Sequence, residues 1–191
     1  MKRLNTPAKI QDFLNSLKFN FENDGEKNTS VRLTLKRGKA QCFEGALVAA
    51  AALWANGKKP LLLDLKAIEP DAEHVVALFK EGEFWGAISK TNHTVLRYRE
   101  PVYKSVRELA MSYFHEYFLS NGIKTMRSFS KPFDLSKLGT YWLTTEENLA
   151  PLAHKLDKSP HEKILSKSQI KRLRKADKVE IKAGKIEEYR R

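Results

Sequence analysis

Cysteine is nearly missing from this chain: Cys42 is the only one. A lone thiol cannot close an intrachain disulfide, which excludes the stapled scaffolds of small secreted proteins. Long apolar runs are missing as well. The longest, Ala46 to Ala55, has ten residues, whereas a membrane-crossing helix needs about 20. The N-terminus, Met1-Lys2-Arg3-Leu4-Asn5-Thr6-Pro7, has two charges and no apolar stretch behind them, so it does not read as a signal peptide. A soluble cytoplasmic protein without a membrane partner is expected. There is no Gly-rich phosphate loop and no internal repeat. His115 lacks the His-Glu-x-x-His spacing, and His154 and His161 stand isolated. No metal cluster and no cofactor are therefore expected.

What is present is a globular composition. The 191 residues are 41% hydrophobic and 30% charged, enough to bury a core without staples. The net charge of +12 is uneven: residues 155–191 hold 13 Lys+Arg against 6 Asp+Glu, more than half of the excess. Lys167, Lys171, Arg172, Arg174, Lys175 and Lys178 gather there. Such a cluster suits nucleic acid or another anionic partner, although no aromatics interleave with it to form a stacking platform. Ser159-Pro160 reads as a linker. The chain divides accordingly into a domain over 1–158 and a basic, helical extension over 159–191.

Periodicity gives the order of elements. Thr6-Pro7 opens a helix with Ile10, Phe13, Leu14 and Leu17 on one face. Residues 20–30 read as a loop and Val31 to Leu35 as a short strand. A second helix starts at Cys42, is rich in alanine almost all round, and stops at Asn56-Gly57. Leu61 to Leu65 reads as a buried strand. His74 to Phe79 and Phe84 to Ser89 flank Lys80-Glu81-Gly82-Glu83 as a hairpin. Thr94 to Tyr98 reads as another strand, stopped by Pro101. Helices follow over Ser105 to Leu119, from Thr144/Thr145 to about Leu156, and over Ser166 to Ala176. The class is α+β, a helix packed on an antiparallel sheet.

Cys42 opens its helix, where the macrodipole and free N–H groups favour a thiolate and could hold a developing oxyanion. A thiol nucleophile needs a base, and the base needs an orienting partner. His74 begins the first hairpin strand and Asn92 follows the second, so the hairpin returns Asn92 beside His74. His93 is a rival base or a substrate contact. Asp64, an acid amid leucines, is a rival orienter. Gln41 is a candidate oxyanion donor, and Trp85 a candidate shield of the site.

The stretch from Gly38 to His93 resembles the core of the transglutaminase-like superfamily, which shares the papain-like fold. The pieces that carry the likeness are Gln41-Cys42-Phe43, the helix ending at Gly57, Leu61 to Leu65, His74 to Phe79, Trp85 and Asn92. Phe43 stands where many members have Trp, and Asn92 where most have Asp. The chain as a whole is similar to bacterial transglutaminase-like proteins. The resemblance implies a Cys42–His74–Asn92 site and acyl chemistry on a protein, peptide or amide substrate, by hydrolysis or by transfer. The other reading is a non-catalytic binding protein on the same fold, whose basic tail docks an anionic partner.

Overall fold

The computed structural model describes residues 1–21 and 28–188. Most of the loop expected over 20–30, and the last three residues of the basic tail, lie outside the described residues. The chain runs α1 (Pro7–Ser16), β1 (Lys18–Phe19), α2 (Val31–Arg37), β2 (Lys39–Ala40), α3 (Cys42–Ala55), β3 (Leu61–Ala67), β4 (His74–Glu81), β5 (Phe84–Ile88) and β6 (Arg99–Tyr103). Then come α4 (Val106–Tyr113), β7 (Met126–Ser130), β8 (Phe133–Asp134), α5 (Tyr141–Thr144), α6 (Ala150–Asp157), β9 (His161–Lys163), α7 (Lys167–Lys171) and α8 (Lys178–Gly184). Among the described residues no helix is long and apolar enough to cross a membrane.

The architecture is α+β. A seven-stranded antiparallel sheet runs β6-β5-β4-β3-β7-β9, with β8 also paired to β3. Side chains alternate across it as strand geometry requires. Leu62, Val75, Ala77, Phe79 and Ile88 join a core with α3, whereas Leu63, Leu65, Val76, Leu78 and Ala87 join a second core with Leu109, Ala110 and Tyr113 of α4. The helix α3 is buried along almost its whole length because the sheet covers one side and α1, α2 and α5 cover others. An alanine-rich surface permits that close packing, and its all-round apolar character requires it.

Several elements depart from the sequence expectation. Val31 to Leu35 alternates like a strand but is helical, because Ser30 caps Leu33 N–H and Gly38, at φ +65°, closes the far end. Pro101 lies inside β6 rather than ending a strand. The strand is at the sheet's edge, where a missing N–H breaks no ladder. The helix expected to reach Leu119 stops at Tyr113, passes through one 3-10 turn, and turns Glu116 back onto Leu96 and Arg99. The helix expected from Thr144/Thr145 to about Leu156 starts only at Ala150, as α6, after the short α5 has ended at Thr144, and the basic one over Ser166 to Ala176 is only α7. The residues that follow Ser159-Pro160 form β9 on the sheet's other edge, and Ile164 is in the second core.

Gly45 sets how near α3 comes to the hairpin. A Cβ there would lie 2.4 Å from Cβ of Lys90. Gly45→Ala is expected to push the helix off the segment after β5 and to lower stability by about 1–3 kcal/mol in urea unfolding. An unchanged midpoint would show that the two elements are not in that contact.

Candidate functional site

The N-terminal turn of α3, the open end of the β4–β5 hairpin, and α6 enclose a cleft of about 750 Å³. Gln41, Cys42, His74, Asn92 and His93 all line it. Asp64 lines it too, so six of the residues singled out from sequence share one cleft.

The thiol wall is built by caps. Gln41 is the N-cap of α3, and its backbone N–H donates to Glu44 Oε2 at 3.2 Å. The same carboxylate, fully buried, accepts from Thr29 N at 3.2 Å, Thr29 Oγ1 at 2.5 Å and Asn20 Nδ2 at 3.4 Å. It anchors the helix start to two neighbouring segments. Cys42 is half-buried, with Sγ 3.7 Å from Gln41 Oε1. The Gln41 amide donates to Asn28 Oδ1 at 3.2 Å, which turns the side chain along the cleft wall.

His74 is only 5% exposed. Its Nε2 lies 2.7 Å from Ser89 Oγ, and the Ser89 hydroxyl reaches the Leu96 carbonyl at 2.5 Å. A carbonyl can only accept, so Ser89 spends its proton on Leu96 and accepts from His74 Nε2–H. That assigns the proton to Nε2 and leaves Nδ1 as the basic nitrogen. Burial pushes the imidazole down to about 4; the Leu96 carbonyl opposes this, and the His93 and Arg99 charges add to it. At neutral pH His74 is an uncharged base.

Ser89 is itself gripped. Gln11 of α1 accepts from Ser89 N at 2.9 Å and donates to Ser89 O at 2.8 Å. Leu96, at φ +61°, sits in the left-handed region, which a leucine rarely adopts. It is held there by Ser89 on its carbonyl and by Glu116 Oε2 on its N–H at 2.6 Å. Both supports converge on the carbonyl that orients the histidine.

The hairpin does return the 89–92 segment beside His74, as its register demands, but the hydrogen bond expected from Asn92 is made by Ser89. Asn92 lines the cleft, and its backbone carbonyl accepts from Glu188 N at 2.7 Å. His93 pairs with Glu187 at 3.4 Å. The segment after α8 thus straps this rim. Trp85 does not shield the site. It lies at the turn end of the hairpin opposite Lys80, whose ammonium sits 4.7 Å over the ring. Asp64 does not orient His74 either. It is 2% exposed on β3 and holds His161 Nε2 at 3.1 Å.

Ser89 and Gln11 were missed by sequence reading. Gln11 left a trace, a polar residue between Ile10 and Leu14 on the buried face of α1. Ser89 left none, because a serine at a strand end is ordinary. No family model matches this chain, and no curated protein matches it.

Two measurements check this geometry. Ser89→Ala would strand a buried Nε2–H and the Leu96 carbonyl, so it should lower stability by about 1–3 kcal/mol and abolish a slowly exchanging imidazole N–H resonance. Asn92→Ala should leave that resonance in place, and the reverse pattern would return the orienting role to Asn92. The second concerns pH. His74 stays neutral when folded down to about 4 but titrates at 6.5 when unfolded, so the unfolded chain binds more protons between those values. Its contribution is complete above pH 6.5 and is lost as pH falls through 4, amounting to about 3 kcal/mol. Urea unfolding from pH 7 to 4 should show wild type losing more than His74→Gln by that amount; parallel curves would refute it.

Proposed function

We propose that this protein is a cysteine-dependent enzyme acting on an amide or related acyl substrate, by hydrolysis or by transfer to an amine, on a papain-like, transglutaminase-like core. The observation that carries the reading is one cleft holding a helix-start thiol and a neutral imidazole whose far nitrogen is fixed. The residues fit the chemistry in named roles. His74 Nδ1 takes the thiol proton as Cys42 Sγ bonds to the carbonyl carbon. The α3 N-terminus, with Gln41 beside it, stabilises the oxyanion that forms. The proton then passes to the leaving amine as the C–N bond breaks, and water or a second amine resolves the thioester. Ser89 and Gln11 act as positioning residues, holding the base in its productive tautomer.

The alternative, a binding module docking an anionic partner through its tail, draws less support from the geometry. Around the start of α8 the bases share their surface with acids: Arg174, between α7 and α8, pairs with Asp177 and Glu180, and Lys124 with Glu180.

The test is thiol reactivity. A free thiol is about 1% thiolate at pH 6.5. With His74 taking the proton as sulfur attacks, Cys42 should alkylate with iodoacetamide about tenfold faster than glutathione at that pH, and His74→Ala should remove the excess. Labelling at the glutathione rate in the wild-type chain would overturn the proposal.

A further inference from the structure

The cleft has an acidic wall that the proposed acyl chemistry does not use. Asp64 from β3, Glu73 from the segment before β4 and Asp157 from the end of α6 all line it. One oxygen of each lies within 4.8 Å of the others. Lys66 bridges two of the three, reaching Asp157 and, at 3.6 Å, Glu73, and is not itself a lining residue.

Asp64 makes this more than a group of acids. Its Oδ2 is engaged by His161, but Oδ1 has no hydrogen-bond partner although the residue is 2% exposed. His161 Nδ1 lies 2.6 Å from the Ser159 carbonyl, so Nδ1–H donates there and Nε2 faces Asp64. One proton must then lie between Asp64 Oδ2 and Nε2, since two bare acceptors would repel. That satisfies Oδ2 and does nothing for Oδ1. A buried acceptor left unpaired costs about 1–3 kcal/mol.

Oxygens that share one hard cation lie no farther apart than about twice a metal–oxygen distance of 2.3–2.6 Å, and these three meet that condition. An all-carboxylate set suits hard cations rather than zinc or copper. Three protein ligands from three elements leave room for water to complete the shell. We propose that Asp64, Glu73 and Asp157 bind one hard divalent cation in the cleft, with Lys66 as the internal cation that partly offsets their charge. The site stands whether or not Cys42 is a nucleophile.

The full chain, stripped with chelator, would be dialysed to equilibrium separately against CaCl2, MgCl2 and MnCl2, and bound metal counted by atomic absorption. At least one ion should bind at one equivalent with a dissociation constant of about 1 mM or tighter. Glu73→Gln, at a side chain exposed enough to leave folding intact, should weaken it about tenfold. Lys66→Met, which removes the competing ammonium, should tighten it. Absence of saturable binding for all three ions would overturn the proposal. So would unchanged affinity in the Glu73→Gln, Asp157→Asn double variant, or weaker binding in Lys66→Met.

Discussion

The contact between Gly45 and Lys90 governs the rest of the cleft. Only a residue without a side chain lets α3 come within 2.4 Å, measured from the position of the absent Cβ, of the chain just past β5. Cys42 lies one turn before Gly45, and Ser89 immediately precedes Lys90. The same approach therefore sets the first turn of α3, which carries Cys42, beside the segment that follows β5. Two polar contacts then lock α1 into the arrangement. Gln11 grips both backbone groups of Ser89, and Lys90 Nζ donates to the Leu17 carbonyl at 2.6 Å. Three elements distant in sequence become one rigid corner.

That corner is built from groups that are expensive to bury. An unpaired buried charge is strongly destabilising, whereas a paired and hydrogen-bonded one can be tolerated. Glu44 meets the condition through donors from Thr29, Asn20 and Gln41, with Arg37 at 4.0 Å. Lys90 meets it through Leu17 and, at 3.9 Å, Glu188, though burial still lowers its basicity. Here the Coulomb help from the C-terminal strap does not outweigh desolvation. His74 avoids the problem by remaining neutral. Asp64 is the exception, with one oxygen unmatched, and it is the only one of the four that belongs to a cluster of like charge.

The parts legible in sequence were those written in local patterns. The α3 helix could be read from its alanines and its Asn56-Gly57 stop, and the hairpin from two β-rich runs around Gly82. Hairpin register alone put His74 near the 89–92 segment. What was illegible depended on partners far along the chain. Ser89 gains its role from Leu96, whose left-handed backbone no leucine advertises, and from Gln11, 78 residues away. Asn92 reads as the better orienter because the hairpin returns it beside His74, but β5 ends at Ile88 and the pairing that would aim Asn92 is absent. His161 looked isolated for the same reason: β9 reaches the sheet only through β7, and sequence gives three residues no strand signal. The edge strand β6 shows a local rule overridden, since Pro101 blocks a central strand and not an outer one.

A neutral histidine has a consequence for the proposed reaction. With His74 held near 4, the resting ring is a neutral imidazole and not the imidazolium of a pre-formed ion pair. Charge separation is then deferred to the step in which sulfur attacks carbon. The α3 N-terminus and the Gln41 side chain act on charge that appears only then, so their stabilisation falls on the transition state and not on the ground state. A pre-formed ion pair would gain nucleophilicity but would lose part of that difference. The Ser89–Leu96 pair serves the deferred arrangement, because fixing the proton on Nε2 keeps Nδ1 open to receive one without reorganisation. In this reading, Ser89 contributes by limiting the tautomers of His74, and the low basicity of the buried ring keeps the imidazole uncharged until substrate arrives.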